Sequence, residues 1–203
     1  MTGTIEPADP VRVRRVRVTT DAILGAARHA MREHGLDVTV EEIADLAQVG
    51  RRTVFRHFAT RDDLIRAAIA ANFAAYFDAI PAYDGTDWER WLDDLAHRVH
   101  RRAAEAGLVI WHLRARRLPP RLAAAYRDHL HALHSLFATT TATLWHAAGG
   151  PGAPPERLRR TVAAHLSPLF TQAVLLDAEG TPEFAAESAT AAITAAVHRL
   201  RAP

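Results

Sequence analysis

From about Thr20 to His34 apolar residues return every three or four positions, and Gly35 follows as a stop; this pattern predicts an amphipathic helix. A short second helix is expected to open at Thr39. Thr39 can cap the backbone, Glu42 can reach back three residues, and Val38 can pack on Ile43 as a hydrophobic staple. Ile43, Leu46 and Ala47 give that helix its expected inward face, and Gly50 supplies a turn. From Arg51 a third helix places Val54 and Phe58 inward, four residues apart, so Arg52, Thr53 and Arg56 point away. A fourth helix, capped by Thr60, extends to about Ala79, with Ile69, Phe73, Tyr76 and Phe77 on its packing face. The stretch from Pro81 to Asp87 reads as a turn. Beyond it helices are expected over roughly 87–104, 107–116, 119–147, 155–179 and 183–201, with prolines at most boundaries and Pro168 kinking the 155–179 helix near 164–168. The predicted fold is all-α: an N-terminal three-helix helix-turn-helix domain (19–66), joined by the fourth helix to a larger helical domain (67–203).

Two short helices joined by a tight turn, the second rich in arginine, have the form of a helix-turn-helix DNA reader. A helix in the major groove reads base edges with long donors, and a guanidinium fork can bond guanine O6 and N7 together. Arg52 and Arg56 are the expected readers. Thr53, Phe55 and His57 suit contacts along the phosphate backbone, and Thr39 and Arg51 complete the expected DNA-facing set.

These residues resemble a known family. Residues 20 to 67 are similar to the N-terminal domain of TetR-type transcriptional regulators, whose pattern runs from an Ile-Leu-x-Ala-Ala helix to a Thr-Leu-Tyr-x-His-Phe recognition helix. The matching positions include Ile23, Leu24, Ala26, Ala27, Gly35, Thr39, Ile43, Ala44 and Val49, then Thr53, Val54, Phe55, His57 and Phe58. Three positions depart from it: Gly50 stands where a capping Ser is frequent, Arg52 where Gly is common, and Phe55 in place of Tyr. The resemblance implies a dimer formed by the last two helices, a ligand-binding second domain, and a phosphate contact at Arg61, where the family often has lysine.

Composition narrows the classes. The 203-residue chain has 25 basic residues, all arginine, against 23 acidic ones, so the net charge of +2 makes arginine placement more informative than the total. No run of about 18 apolar residues is present to span a membrane. Without a signal-like apolar leader or cysteine, a cytoplasmic location is expected. Four arginines lie in the segment VRVRRVRV, residues 11–18; with residues 1–18 read as a flexible basic arm, Arg14 and Arg15 become candidates for minor-groove or phosphate contact.

In the second domain, polar groups fall on apolar stripes. Trp88, Trp91, Leu92, Leu95 and Val99 share one face with His100 at its edge. Leu122, Tyr126, His129, Leu133, Phe137, Thr140 and Leu144 share another, and Leu158, Val162, His165, Leu169 and Leu176 a third. A pocket built from Trp91, His100, Trp111, Tyr126, His129, Phe137, Thr140, Trp145, His165 and Leu169 would be apolar with a few polar anchors, the usual makeup of a small-molecule site. The i, i+3 pairs His97/His100 and His131/His134 are the only metal-like spacing, so no metal site and no cofactor are expected. No convergent acid, base and nucleophile set suggests an enzyme. The last helix carries Phe184, Ile193, Val197 and Leu200 among alanines 185, 189, 192 and 196, a face expected to pair with a second copy. The expected protein is a homodimeric repressor released from a palindromic double-stranded operator by a hydrophobic or aromatic effector. An activator on the same scaffold and a metal-binding helical sensor are the alternatives.

Overall fold

The computed structural model describes residues 10–107, 109–115 and 117–201, and among them every regular element is helical. Ten α-helices follow one another: α1 (Pro10–His34), α2 (Val40–Leu46), α3 (Arg51–His57), α4 (Arg61–Asp78), α5 (Trp88–Glu105), α6 (Val109–Ala115), α7 (Pro120–Ala147), α8 (Glu156–His165), α9 (Pro168–Leu176) and α10 (Pro182–Arg201). Two compact units divide the chain between Ile69 and Ala70, inside α4.

In the first unit α1, α2, α3 and the start of α4 enclose a core containing Ile23, Met31, Val38, Ile43, Val54 and Leu64, each 0–1% exposed. The capping box at Thr39 is fully formed. Its hydroxyl accepts from the Glu42 amide at 3.2 Å, and the Thr39 amide donates to the Glu42 carboxylate at 2.7 Å. Those bonds hold the Glu42 carboxyl below the usual carboxylate range.

Three expectations for this unit are corrected. The 11–18 segment is not an arm: α1 is already helical from Pro10, and the Thr19 and Thr20 hydroxyls bond back to the Arg15 and Val16 carbonyls across one helical turn. Residues 1–9 of the expected arm lie outside the described residues. The turn between α2 and α3 does not depend on Gly50, whose backbone is extended (φ −70°) and which caps α3; Gln48, at φ +54°, takes the left-handed position. The Gln48 amide donates to the Asp45 carbonyl and the Val49 amide to that of Ala44, the paired bonds of a Schellman ending. Leu46, expected inward, is 50% exposed because α2 ends in that turn.

The second unit is built around α5, α7, α8 and α10. Leu92, Leu95 and Val99 of α5 meet a core shared with Leu144, Leu158, Val162, Ile193 and Val197, all fully buried. Asp87 caps α5 by accepting from the Glu89 and Arg90 amides, both at 3.1 Å. Pro168 does more than kink a helix. The chain breaks at Leu166, Ser167 caps the new helix through the Leu169 amide, and Pro168 takes its first turn, where a missing N–H costs nothing. The helical phase restarts there, so Leu176 is 53% exposed rather than aligned with Leu158. In α10, Ala185, Ala189, Ile193 and Val197 are fully buried within their own chain, correcting their expected role at a partner. Phe184 is 52% exposed, and Ala191 and Ala195 are also exposed.

Candidate nucleic-acid interface and ligand cavity

The short helix α3 is amphipathic in the required sense. Val54 is 1% exposed and anchors it, while Arg51, Arg52, Phe55 and Arg56 are exposed and Thr53 half-buried. Arg51 is occupied: it pairs with Glu41 at 2.6 Å and lies 5.4 Å above the Phe55 ring. Exposed pairs of this kind are weak, so a phosphate can displace Glu41. Arg52 and Arg56 stand beside it on the exposed surface of α3, and Arg14 and Arg15 are exposed on the first turns of α1.

Three of the expected DNA contacts have structural work. Thr39 spends its hydroxyl in the capping box, where it also donates to Glu42 at 2.8 Å. His57 shares a 2.9 Å hydrogen bond through Nδ1 with the Thr20 hydroxyl, which ties α3 to α1. The guanidinium of Arg61 turns inward: Nε donates to the Val38 carbonyl at 2.8 Å and a terminal nitrogen donates to that of Leu36. Arg61 thereby fastens the loop that leads into α2, a role that residue spacing alone does not reveal, because its partners lie 23 and 25 residues away.

The second unit contains a cavity of about 130 Å³. Phe73 of α4 and Tyr126, Leu130, Leu133 and Phe137 of α7 form much of its wall. Ala163, Ser167, Pro168 and Leu169 close it at the α8–α9 break, and Arg114 and His134 add polar groups. Tyr126 and Phe137 are almost fully buried and Leu169 is half-buried. Burial pushes the Tyr126 hydroxyl up, against a smaller opposing pull from the charge and hydrogen bond of Arg114. Phe73 stacks on His129, with centroids 4.4 Å apart and planes 12° from parallel, and burial lowers that imidazole toward the neutral form. A void of about 20 Å³ bordered by Tyr76, Arg102 and Ala106 shares Phe73 and Pro168 with this cavity. Tyr76, buried, donates its hydroxyl to the Leu166 carbonyl, beside Ser167 and Pro168.

Of the residues expected in a pocket, this cavity gathers Tyr126, Phe137 and Leu169 directly and His129 through Phe73. The others are placed elsewhere. Trp91 donates its indole N–H to the Pro81 carbonyl at 2.9 Å and meets Tyr83. Trp145 is core: its N–H donates to the Pro151 carbonyl at 3.1 Å, and a Cβ on Gly150 would stand 2.2 Å from its ring, so only glycine fits above it. His100 is fully buried rather than at an edge, with Nδ1 2.8 Å from the Thr171 hydroxyl and Nε2 without a protein partner. Thr140 is buried on α7 without lining the cavity, His165 lies in a groove between α8 and α10, and the Trp111 side chain lies outside the described residues. Arg114, Leu130, His134 and Ser167 were not foreseen. The i+4 steps from Tyr126 to Leu130 and His134 carried a signal, whereas Arg114 is brought in only by tertiary packing.

A larger opening of about 760 Å³ runs along α5 and the loop before it, but exposed Asp84, Asp87, Asp93, Asp94 and Arg98 line it, as they would a solvated surface. Among the described residues no three of His, Asp and Glu gather as metal ligands, and no helix is long and apolar enough to cross a membrane. His97 and His100 do not share a face: His97 bonds the Asp93 carbonyl at 2.9 Å, while His100 points into the core.

An exposed arginine-bearing second helix, held by a capped first helix and followed by a helical unit with its own cavity, defines a helix-turn-helix DNA-binding regulator. Residues 23–68 match the family described as bacterial regulatory proteins, tetR family, so the resemblance falls on the helix-turn-helix part of the chain. Solved structures share the fold over nearly its whole length. A TetR transcription regulator from Haloarcula marismortui superposes with a TM-score of 0.70 at 21% identity, covering 90% of this chain and 98% of its own. A transcriptional regulator from Rhodococcus sp. RHA1 gives 0.67 at 19% identity, covering 91% and 99%. FadR from Bacillus subtilis, solved in complex with stearoyl-CoA, gives 0.66 at 15% identity, covering 85% and 96%. No curated protein matches the chain.

Proposed function

We propose that the protein is a cytoplasmic, homodimeric repressor that binds a palindromic operator through α3 and leaves it when a small molecule occupies the cavity beside Phe73. The observation that carries this reading is the pairing of two features on one chain: an exposed arginine face on α3, and an apolar cavity whose wall includes a residue of α4. Arg52 and Arg56 read base edges, Thr53 and Phe55 approach the backbone, and Arg14 and Arg15 add salt-sensitive phosphate contacts from the start of α1. Ligand binding biases the position of α4, the one helix common to both units. The stearoyl-CoA bound by Bacillus subtilis FadR supports a ligand-responsive helical domain, but about 130 Å³ is much too small for a long acyl chain here. The effector is therefore compact.

Selection of bound duplexes from a random library near physiological salt tests the DNA half. An enriched palindrome is expected, and Arg52→Ala and Arg56→Ala should each relax the preference at defined bases, at roughly 1–3 kcal/mol per lost bidentate contact. Binding that depends on salt but enriches no sequence would refute the operator reading. Linkage tests the other half: a ligand that weakens operator binding by some factor must itself bind the operator complex more weakly by the same factor. Equal ligand affinity with and without operator would refute release.

A further inference from the structure

We propose that the cavity beside Phe73 is selective for a compact ring carboxylate, whose acid group is received by Arg114 with the Tyr126 hydroxyl beside it. This rests on the reading of that cavity as the effector site and names the chemistry it accepts. Size comes first. A cavity of 150 Å³ in another protein holds a benzene molecule, so about 130 Å³ suits one ring and excludes a fused pair or a long chain. Shape agrees, because the floor is made of flat or branched apolar groups, Phe73, Leu130, Leu133, Phe137 and Leu169.

Charge then selects within that size class. Among the described residues Arg114 is the sole guanidinium on the wall, and no described Asp or Glu shares the wall with it. A guanidinium is always charged and offers a planar fork that matches a carboxylate. Arg114, exposed, and Tyr126, buried, both line the cavity, so the charged group lies at its rim and the phenol within its wall. The hydroxyl stays protonated, since burial disfavours its charged form, and therefore supplies a donor rather than a competing anion. An incoming acid finds one charged and one neutral donor together, with the apolar floor behind them. An uncharged molecule of the same shape gains the floor alone.

Calorimetric titration of the full-length protein with a series of one-ring carboxylates, benzoate and cyclohexanecarboxylate among them, and with their primary amides tests this. At least one acid should bind, and its own amide should bind at least tenfold more weakly. Arg114→Gln should weaken the acid by roughly ten- to a hundredfold, the value of one charge-assisted hydrogen bond, and change amide binding less than twofold. Tyr126→Phe should weaken the acid by a smaller factor. Leu130→Trp, at a half-buried position, should block both compounds by filling the cavity without depending on the fold of the deeper core. Failure of the whole acid series to bind, or acid binding indifferent to Arg114→Gln, overturns the proposal. Amides that bind as well as acids, are blocked by Leu130→Trp and release operator DNA would overturn it while leaving the effector site in place. Acid binding unaffected by Leu130→Trp would remove the cavity itself from both readings.

Discussion

Gln48 shows how a single backbone position governs the reader. It holds φ +54° so that the Ala44 and Asp45 carbonyls are satisfied before α3 begins, in a region that L side chains reach only against Cβ crowding. Gln48→Gly should therefore raise stability by about 0.5–1 kcal/mol, read as a rise in midpoint on urea denaturation, with operator affinity kept. No gain, or a loss, would mean that the Gln side chain compensates for its backbone. His100 makes a second prediction at this scale. Burial, with smaller repulsions from His97 and His165, holds its imidazole at about 4, well below the ordinary value of 6.5. The folded state thus binds fewer protons than the unfolded chain between those values, and stability rises with pH across that window. Acidification from pH 6.5 should cost progressively, reaching about 3 kcal/mol near pH 4 and levelling off below it. His100→Gln should flatten this part of the curve; an unchanged slope would assign the titration to another group.

At the scale of elements, the change in role of Arg61 is the sharpest test. A phosphate contact would lower the slope of log affinity against log salt by about 0.9 when removed. A clamp on the Leu36 and Val38 carbonyls predicts something else for Arg61→Ala: a loss of about 1–2 kcal/mol in stability and weaker operator binding with the salt slope unchanged. Chemical denaturation and a salt titration of operator affinity, run side by side, separate the two. Arg61 also marks what could be read from sequence. The capping box at Thr39, the inward Val54 and the exposed Arg52 and Arg56 follow from spacing within one helix, and all appear as expected. Contacts set by distant chain segments do not follow from spacing. Arg61 to Leu36, His57 to Thr20 and Phe73 on His129 belong to that group. The same limit explains the cavity. Tyr126 and Phe137 were legible as one stripe of α7, but the break at Ser167 reset the phase of the following helix and separated His165 from Leu169. Trp145 and His100 were misread because a polar atom on an apolar stripe can be satisfied by the chain's own backbone or hydroxyls, as Pro151 and Thr171 do here.

For the whole molecule, the proposed dimer requires a surface that would hold two reading heads at one spacing. Ala185, Ala189, Ile193 and Val197 are consumed by their own core, which leaves α10 a narrower outward strip. Ala192, Ala195 and Ala196 form the floor of a groove between α8 and α10, with Thr161 and Leu200 beside them and Arg157 and Arg199 at its borders. Small side chains there let a second pair of helices come close, and a two-fold axis through the groove would bring each strip onto its copy. Ala195 is exposed in the single chain, so Ala195→Arg should leave folding intact while adding a third arginine to a surface that must meet itself. Sedimentation should then show a monomer, and operator affinity should fall by more than a hundredfold, because two half-sites no longer gain from one another. Weak, salt-sensitive binding by the single head should survive, since α3 is untouched. A variant that remains dimeric and keeps its operator affinity would place the interface on another face of the second unit, and the outward alanines of α10 would then need no partner.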